Sequence, residues 1–183
     1  MRLYHGSNTA FREVDLSLCR PNKDFGQGFY LAPDRIAAER MARRTVRRFG
    51  GKACLMTFEF DEALLADVPV KLFQRPSEEW AMFVMANRRP NVEAADHNRD
   101  NRYGMVVGPV ANDDLALLFR QFALGLVTVE MLVREMQFKQ LTIQYSFHTP
   151  LAVSALKFVG ADDVYYAETT EGVCDTGSCG DGR

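Results

Sequence analysis

Two short segments near the start of the chain carry residue types from which a binding site is made. Leu3-Tyr4-His5-Gly6-Ser7 reads as a strand that delivers one His and one Ser to a loop. Further on, Phe25-Gly26-Gln27-Gly28-Phe29-Tyr30-Leu31-Ala32 reads as a glycine-flanked tight turn running straight into an aromatic strand. Glycine permits backbone conformations and close ligand approach that other residues forbid. Tyr30, placed directly after such a turn, offers a wall on which a flat ring can lie. A third segment, Gln144-Tyr145-Ser146-Phe147-His148-Thr149-Pro150, reads as a late strand. Gln144, Ser146 and His148 alternate on one face of it. Read alone, Gln144 is an ordinary strand residue, and His148 either lines a cleft or is held structurally by hydrogen bonds.

The surrounding elements follow from periodicity and capping. Residues 1–5 read as a first strand and residues 26–32 as the turn and second strand. Asp34 caps a helix through Ile36, Ala37, Met41 and Val46 that stops at Gly50-Gly51. Cys54–Phe60 alternates as a strand, and Val68–Phe73 is a weaker one. Ser77 caps an amphipathic helix that reaches Arg88. Residues 89–102 are polar and rich in turn formers and read as a surface loop. Tyr103–Val110 is a buried strand ending at Gly-Pro. Helices over 113–122 and 128–137 meet near Gly125, Thr142–His148 is a strand, and 152–158 is one more helix or strand. The expected layout is one domain over 1–167 with a disordered tail over 168–183. Strands at both ends with helices between predict an α+β domain of two small, mainly antiparallel sheets.

Bulk properties narrow the function classes. A chain of 183 residues favours one domain with a substantial core. The net charge of −2 gives no overall drive toward nucleic acid or anionic membrane. No apolar run is long enough to span a bilayer, and no basic-then-apolar leader is present. Cys19 and Cys54 read as small apolar residues, and Cys174 and Cys179 as free thiols in the tail. These features fit a reducing cytoplasm. The Asp96-His97 and Asp113-Asp114 pairs match no metal-ligand spacing, so no metal is expected. Trp80, at helical spacing with Phe83 and Val84, reads as core. Arg40, Arg44, Arg47 and Arg48 fall near one helix face, which is either simply solvated or a contact for an acidic or phosphate-bearing partner.

In this order, the segments resemble the NAD-binding signature of ADP-ribosyltransferases of the diphtheria-toxin and poly(ADP-ribose) polymerase type. The resemblance spans residues 3 to about 158. It implies that family's split-sheet core with surrounding helices and NAD as substrate. His5-Gly6-Ser7 looks like the first motif, in which the His bonds the adenine ribose, the Gly backbone holds the nicotinamide carboxamide, and the Ser reaches the other ribose. Tyr30, with Gly28 in the preceding turn, looks like the second motif, whose ring stacks on nicotinamide. The third motif is usually a Glu, and Gln144 stands at that place. Met41 stands where many polymerase-type members place a further stacking Tyr. The pattern looks closest to an uncharacterised bacterial family of that clan found in toxin–antitoxin-like loci.

The resemblance therefore implies a cytoplasmic mono-ADP-ribosyltransferase, a glycosyltransferase acting as a bacterial toxin, with NAD glycohydrolase as a side activity. His5, Tyr30 and Gln144 would be catalytic, and His5, Gly6, Ser7, Gly28, Tyr30, Met41 and Gln144 would bind NAD. The acceptor is a protein, nucleic acid or small molecule, and a small antitoxin is the expected protein partner. The alternative is a catalytically impaired NAD or ADP-ribose binding module on the same fold. Gln can bond a ribose hydroxyl but brings no charge to favour an oxocarbenium ion.

Overall fold

The computed structural model describes residues 1–89, 96–110, 113–137 and 141–165. Two sheets form an α+β fold. The first has strand order β1-β3-β7, from β1 (Arg2–Ser7), β3 (Cys54–Phe60) and β7 (Leu156–Asp163). The second has order β2-β6-β5-β4, from β2 (Phe29–Leu31), β6 (Ile143–Phe147), β5 (Met105–Pro109) and β4 (Val70–Leu72). Every pairing is antiparallel except β4 with β5. Among the described residues five α-helices surround them: α1 (Arg35–Phe49), α2 (Glu78–Arg88), α3 (Asp113–Ala123), α4 (Val129–Gln137) and α5 (Pro150–Val153). No helix among the described residues is long and apolar enough to cross a membrane.

The caps read from sequence are made. The Asp34 side chain accepts from the Ile36 amide and starts α1, and the Ser77 hydroxyl accepts from the Trp80 amide and starts α2. Helix α1 buries only Ala38 and Ala42, small residues that let it lie close against β1. Helix α2 buries seven consecutive or near-consecutive residues from Trp80 to Asn87 and stands inside the fold. Trp80 is fully buried and its indole N–H donates to the Pro109 carbonyl at 3.1 Å, so it belongs to the core.

The second sheet separates two apolar layers. Phe29, Leu31, Met105, Val107 and Phe147 face one, together with Phe58 and Phe60 of the first sheet. Val106 and Phe25 face the other, against Phe73, Trp80, Phe83, Phe119 and Leu132. Tyr30 packs at the edge of this second layer.

Two expectations are corrected here. Residues 152–158 are neither one helix nor one strand: α5 ends at Val153, and β7 begins at Leu156 and continues to Asp163. A short 3₁₀ turn over Glu62–Leu65, capped by Asp61, follows β3. The stretch 89–102 is not wholly a surface loop, because Asn98 within it is completely buried. The expected tail over 168–183, with Cys174 and Cys179, lies outside the described residues, as do the side chains of Asp113 and Asp114.

Candidate functional site

Where the two sheets meet, β1 and β2 touch through a single backbone pair. The Tyr4 amide and carbonyl each bond Ala32, both at 2.8 Å. Two residues on along β1 and two back along β2, antiparallel register would next pair Gly6 with Tyr30. That pair is not made. The His5 imidazole comes between the strands instead, and its Nδ1 donates to the Tyr30 carbonyl at 2.7 Å. Backbone groups alternate sides along a strand, so Gly6 presents its N–H and C=O on the same side as Tyr4, away from β3. Met1 exchanging bonds with Phe60 fixes that alternation. Among the described residues the Gly6 amide and carbonyl have no partner. The strands diverge at this point, the mouth of the candidate site, where Gly6 itself is buried.

Glycine is required at position 6 for a second reason. A Cβ there would lie 1.9 Å from the Ala38 carbonyl oxygen and 2.7 Å from the Ala42 amide of α1. The helix thus backs directly onto the strand that carries the mouth.

The hydrogen bond to Tyr30 sets the state of His5. With Nδ1 donating to a carbonyl, Nε2 is left as an acceptor. Burial lowers the pKa of this ring below its ordinary value, and the Tyr30 carbonyl only partly opposes that. The ring packs against Phe29, with centroids 4.6 Å apart, and edge-on to Phe11 at 5.7 Å. His5 thus stays neutral, with its acceptor nitrogen unpartnered among the described residues.

The glycine turn before Tyr30 is tied at several points. The Tyr30 hydroxyl donates to the Gly26 carbonyl at 2.7 Å and accepts from the Phe25 amide at 3.0 Å. Burial, followed by the nearby Asp24 charge, raises the pKa of this phenol well above its usual value, so it remains a donor. Gly26 has φ of 96°, and a Cβ there would also meet the Asn98 carbonyl at 2.7 Å. Asn98 donates from Nδ2 to the Phe25 carbonyl, while the Asn87 amide oxygen holds the Asn98 N–H at 2.8 Å. Arg88 pairs with Asp24 at 2.7 Å.

His148 closes the other side of the turn. Its Nδ1 donates to the Gln27 carbonyl at 2.8 Å, and Nε2 lies 2.8 Å from the Ser146 hydroxyl. A carbonyl can only accept, so the neutral ring keeps its proton on Nδ1 and leaves Nε2 as an acceptor. The single proton of the Ser146 hydroxyl is shared between two acceptors in reach, Nε2 and the Val106 carbonyl at 3.0 Å. The ring is almost fully buried, and burial brings its pKa down to about 4. Of the two readings the sequence leaves open for His148, the structural one is met. Gly28 serves the same latch, because a Cβ there would fall 2.5 Å from His148 Nδ1.

Gln144 reaches the same region from β6. Tyr30 pairs with Ser146, so Tyr30, Ser146 and Gln144 project from one face of the second sheet, with Gln144 diagonal to Tyr30. On its other side Gln144 pairs with Gly108. No hydrogen bond ties the Gln144 amide among the described residues, and it is half-buried. Ser7 is half-buried at the end of β1, and its Oγ accepts only a long 3.4 Å bond from the Thr9 amide. Met41 is exposed on α1.

The structure thus brings His5 and Tyr30 into direct contact and puts Gln144 on the face of Tyr30. Asn98 and Asp24, which help to hold the turn, carry no motif signal. The only hint at Asn98 is an Asn among turn formers. Asp96 and His97, read as solvated, are engaged by other side chains: Asp96 binds Lys71 and Tyr103, and His97 lies 3.7 Å from Asp100.

Comparison with known proteins gives one match. The profile of a family described as "protein of unknown function (DUF3990)" matches residues 1–158. No curated protein and no solved structure matches the chain.

Proposed function

This chain belongs to the DUF3990 family, and we propose that it is an NAD-dependent mono-ADP-ribosyltransferase. The observation that carries the reading is the broken Gly6–Tyr30 pair. Its free N–H and C=O match the acceptor and donor of a primary carboxamide, the group that distinguishes nicotinamide. The groups around the mouth suit the rest of NAD. His5 Nε2 accepts from a ribose hydroxyl, Ser7 offers a second hydroxyl contact, and the Tyr30 ring borders the opening. Met41 is accessible on the neighbouring helix for ring packing.

The reaction breaks the bond between the nicotinamide nitrogen and ribose C1, and joins C1 to an acceptor nucleophile. Nicotinamide leaves with the bonding electron pair, and the nucleophile gives up its proton. In this reading the chain's part is to hold the ring flat, to fix both riboses, and to let the Gln144 amide orient a ribose hydroxyl while positive charge grows. A neutral amide cannot activate a hydroxyl for chain growth, so single-unit transfer is the expected product.

Gln144 also favours a second reading, a non-catalytic NAD or ADP-ribose binding module. Incubating the purified chain with NAD labelled in its adenylate part and with cell extract separates the two. Transferred label with released nicotinamide supports the enzyme, and saturable binding without either supports the module. The toxin role has its own test: the chain expressed alone slows growth, and a neighbouring gene product restores it.

A further inference from the structure

The end of α1 and the loop before the glycine turn gather cations around one aromatic ring. Phe49 is half exposed, at 48%. The Arg20 guanidinium carbon lies 4.2 Å from its ring centroid and that of Arg48 lies 5.1 Å away. Lys23 joins them: the surrounding protein and then Arg20 lower the pKa of its ammonium, with Arg88 and Arg48 contributing and Asp24 opposing. Arg40 and Arg47, seven residues apart and both exposed, lie about half a turn round α1 from Phe49 and belong to its outer face rather than to this cluster.

The carboxylates nearby are engaged elsewhere. Asp24 pairs with Arg88, and Glu39 pairs with Arg35 and Arg43. Arg20, Arg40, Arg47 and Arg48 form no ion pair among the described residues. A chain of net charge −2 therefore holds a local excess of positive charge that its own acids do not offset. Like charges drawn together are relieved by an anion carrying several charges. The exposed ring between them narrows the choice. A nucleic acid brings in every residue a base that stacks on an aromatic ring or a guanidinium plane, whereas an acidic peptide brings a stacking ring only where it carries an aromatic side chain.

We propose that Arg20, Lys23, Arg48 and Phe49 form a docking surface for single-stranded nucleic acid. The cations take phosphodiester oxygens, and a base stacks on Phe49 or on the guanidinium planes beside it. The surface abuts both segments of the candidate site. The Lys23 carbonyl accepts from the Gly26 amide at 3.1 Å, and Asn8, just past β1, donates to the Gly50 carbonyl at 2.9 Å. A strand held here lies beside the turn that carries Tyr30, and no step of the proposed transfer is needed for it to bind.

The test is fluorescence anisotropy of the full chain with a labelled oligouridylate of about 16 nucleotides, the upper site size of single-strand grooves. Titrations run from about 50 to about 200 mM salt, where phosphate contacts weaken steeply. Three phosphate contacts give a slope of log affinity on log salt of about −2. R20A/K23A/R48A is expected to lose at least about tenfold in affinity and to flatten that slope. Phe49→Ala is expected to lose about fivefold or more with the slope unchanged. R20K/R48K should keep the slope. Absence of binding at low salt overturns the proposal, as does unchanged binding by the alanine triple with a native circular dichroism spectrum. Displacement by polyglutamate at equal charge also overturns it, because the surface then fits an acidic protein.

Discussion

His5 donates to the Tyr30 carbonyl at the point where the backbone of Gly6 would otherwise bond it. One side chain thereby replaces one rung of a ladder and leaves the Gly6 peptide groups without a partner on β2. The imidazole is at once a spacer between two sheets and a neutral acceptor.

His5→Ala is expected to weaken NAD binding by about tenfold or more, the scale of one lost hydrogen bond plus disordered peptide groups. Calorimetric titration measures it. Because His5 is held below its ordinary pKa, affinity of the unmodified chain should be level from about pH 8 to about 6.5 and fall only at lower pH. A fall that begins above that range would remove Nε2 as an acceptor from a ribose hydroxyl.

Tyr30→Phe and Tyr30→Ala should separate two duties of one residue. The phenylalanine variant keeps a ring but leaves the Gly26 carbonyl and Phe25 amide without their partner, costing about 1–3 kcal/mol of stability. Its NAD affinity should change less than that of the alanine variant. Urea denaturation and titration of both variants check this, and equal affinities in all three proteins would place Tyr30 outside the binding surface.

Gly6→Ala should fail to fold normally or be severely destabilised. The added methyl would meet rigid backbone, the Ala38 carbonyl at 1.9 Å, and not a side chain that can swing aside. A native melting temperature in this variant would contradict the close approach of α1 to β1.

Stability should depend on pH through His148. The unfolded ring takes a proton near pH 6.5, while the folded ring does so only near pH 4. Between those values the unfolded state binds more protons, so stability falls as pH falls, by up to about 3 kcal/mol over the window. Denaturation curves at pH 7 and at about 4.5 should show the loss. His148→Gln should be less stable at pH 7 but flatter in profile. An equal slope in that variant would assign the dependence to other groups.

Gln144→Ala should abolish transfer and spare the fold, because no other described side chain bonds its amide. Gln144→Glu should raise NAD hydrolysis. Label transfer and nicotinamide release give both answers, and long polymers from the unmodified chain would contradict the role assigned to the amide.

Much of this architecture is legible in the chain. Asp34 and Ser77 announce two helices because a short acceptor before an apolar period satisfies the first free amides. The alternation of Cys54–Phe60 marks β3 because the face of Cys54, Met56, Phe58 and Phe60 is buried. Strand β6 has buried residues on both faces and is marked by its residue types rather than by a period. Strand β7 is read short because it is an edge whose end is charged: Asp162 and Asp163 face Arg35 and Lys52, so no apolar alternation persists there. Asn98 is hidden because burial of an amide depends on partners far along the chain, here Phe25 and Asn87. The contact of His5 with Tyr30 is likewise invisible, since a side chain replacing a backbone rung leaves no period behind.

The glycine turn has a kinetic meaning. Its fastenings come from Asp24 with Arg88, Phe25 with Asn98, and Gln27 with His148, pairs that lie 64, 73 and 121 residues apart. A loop tied by neighbours opens alone, but this one opens only when distant strands and α2 release together. The bonded amides of Phe25 and Gly26 should therefore exchange hydrogen with solvent as slowly as the core, by global unfolding. A ligand meets a finished surface, so association should proceed in one bimolecular phase, with no slower step for ordering the turn.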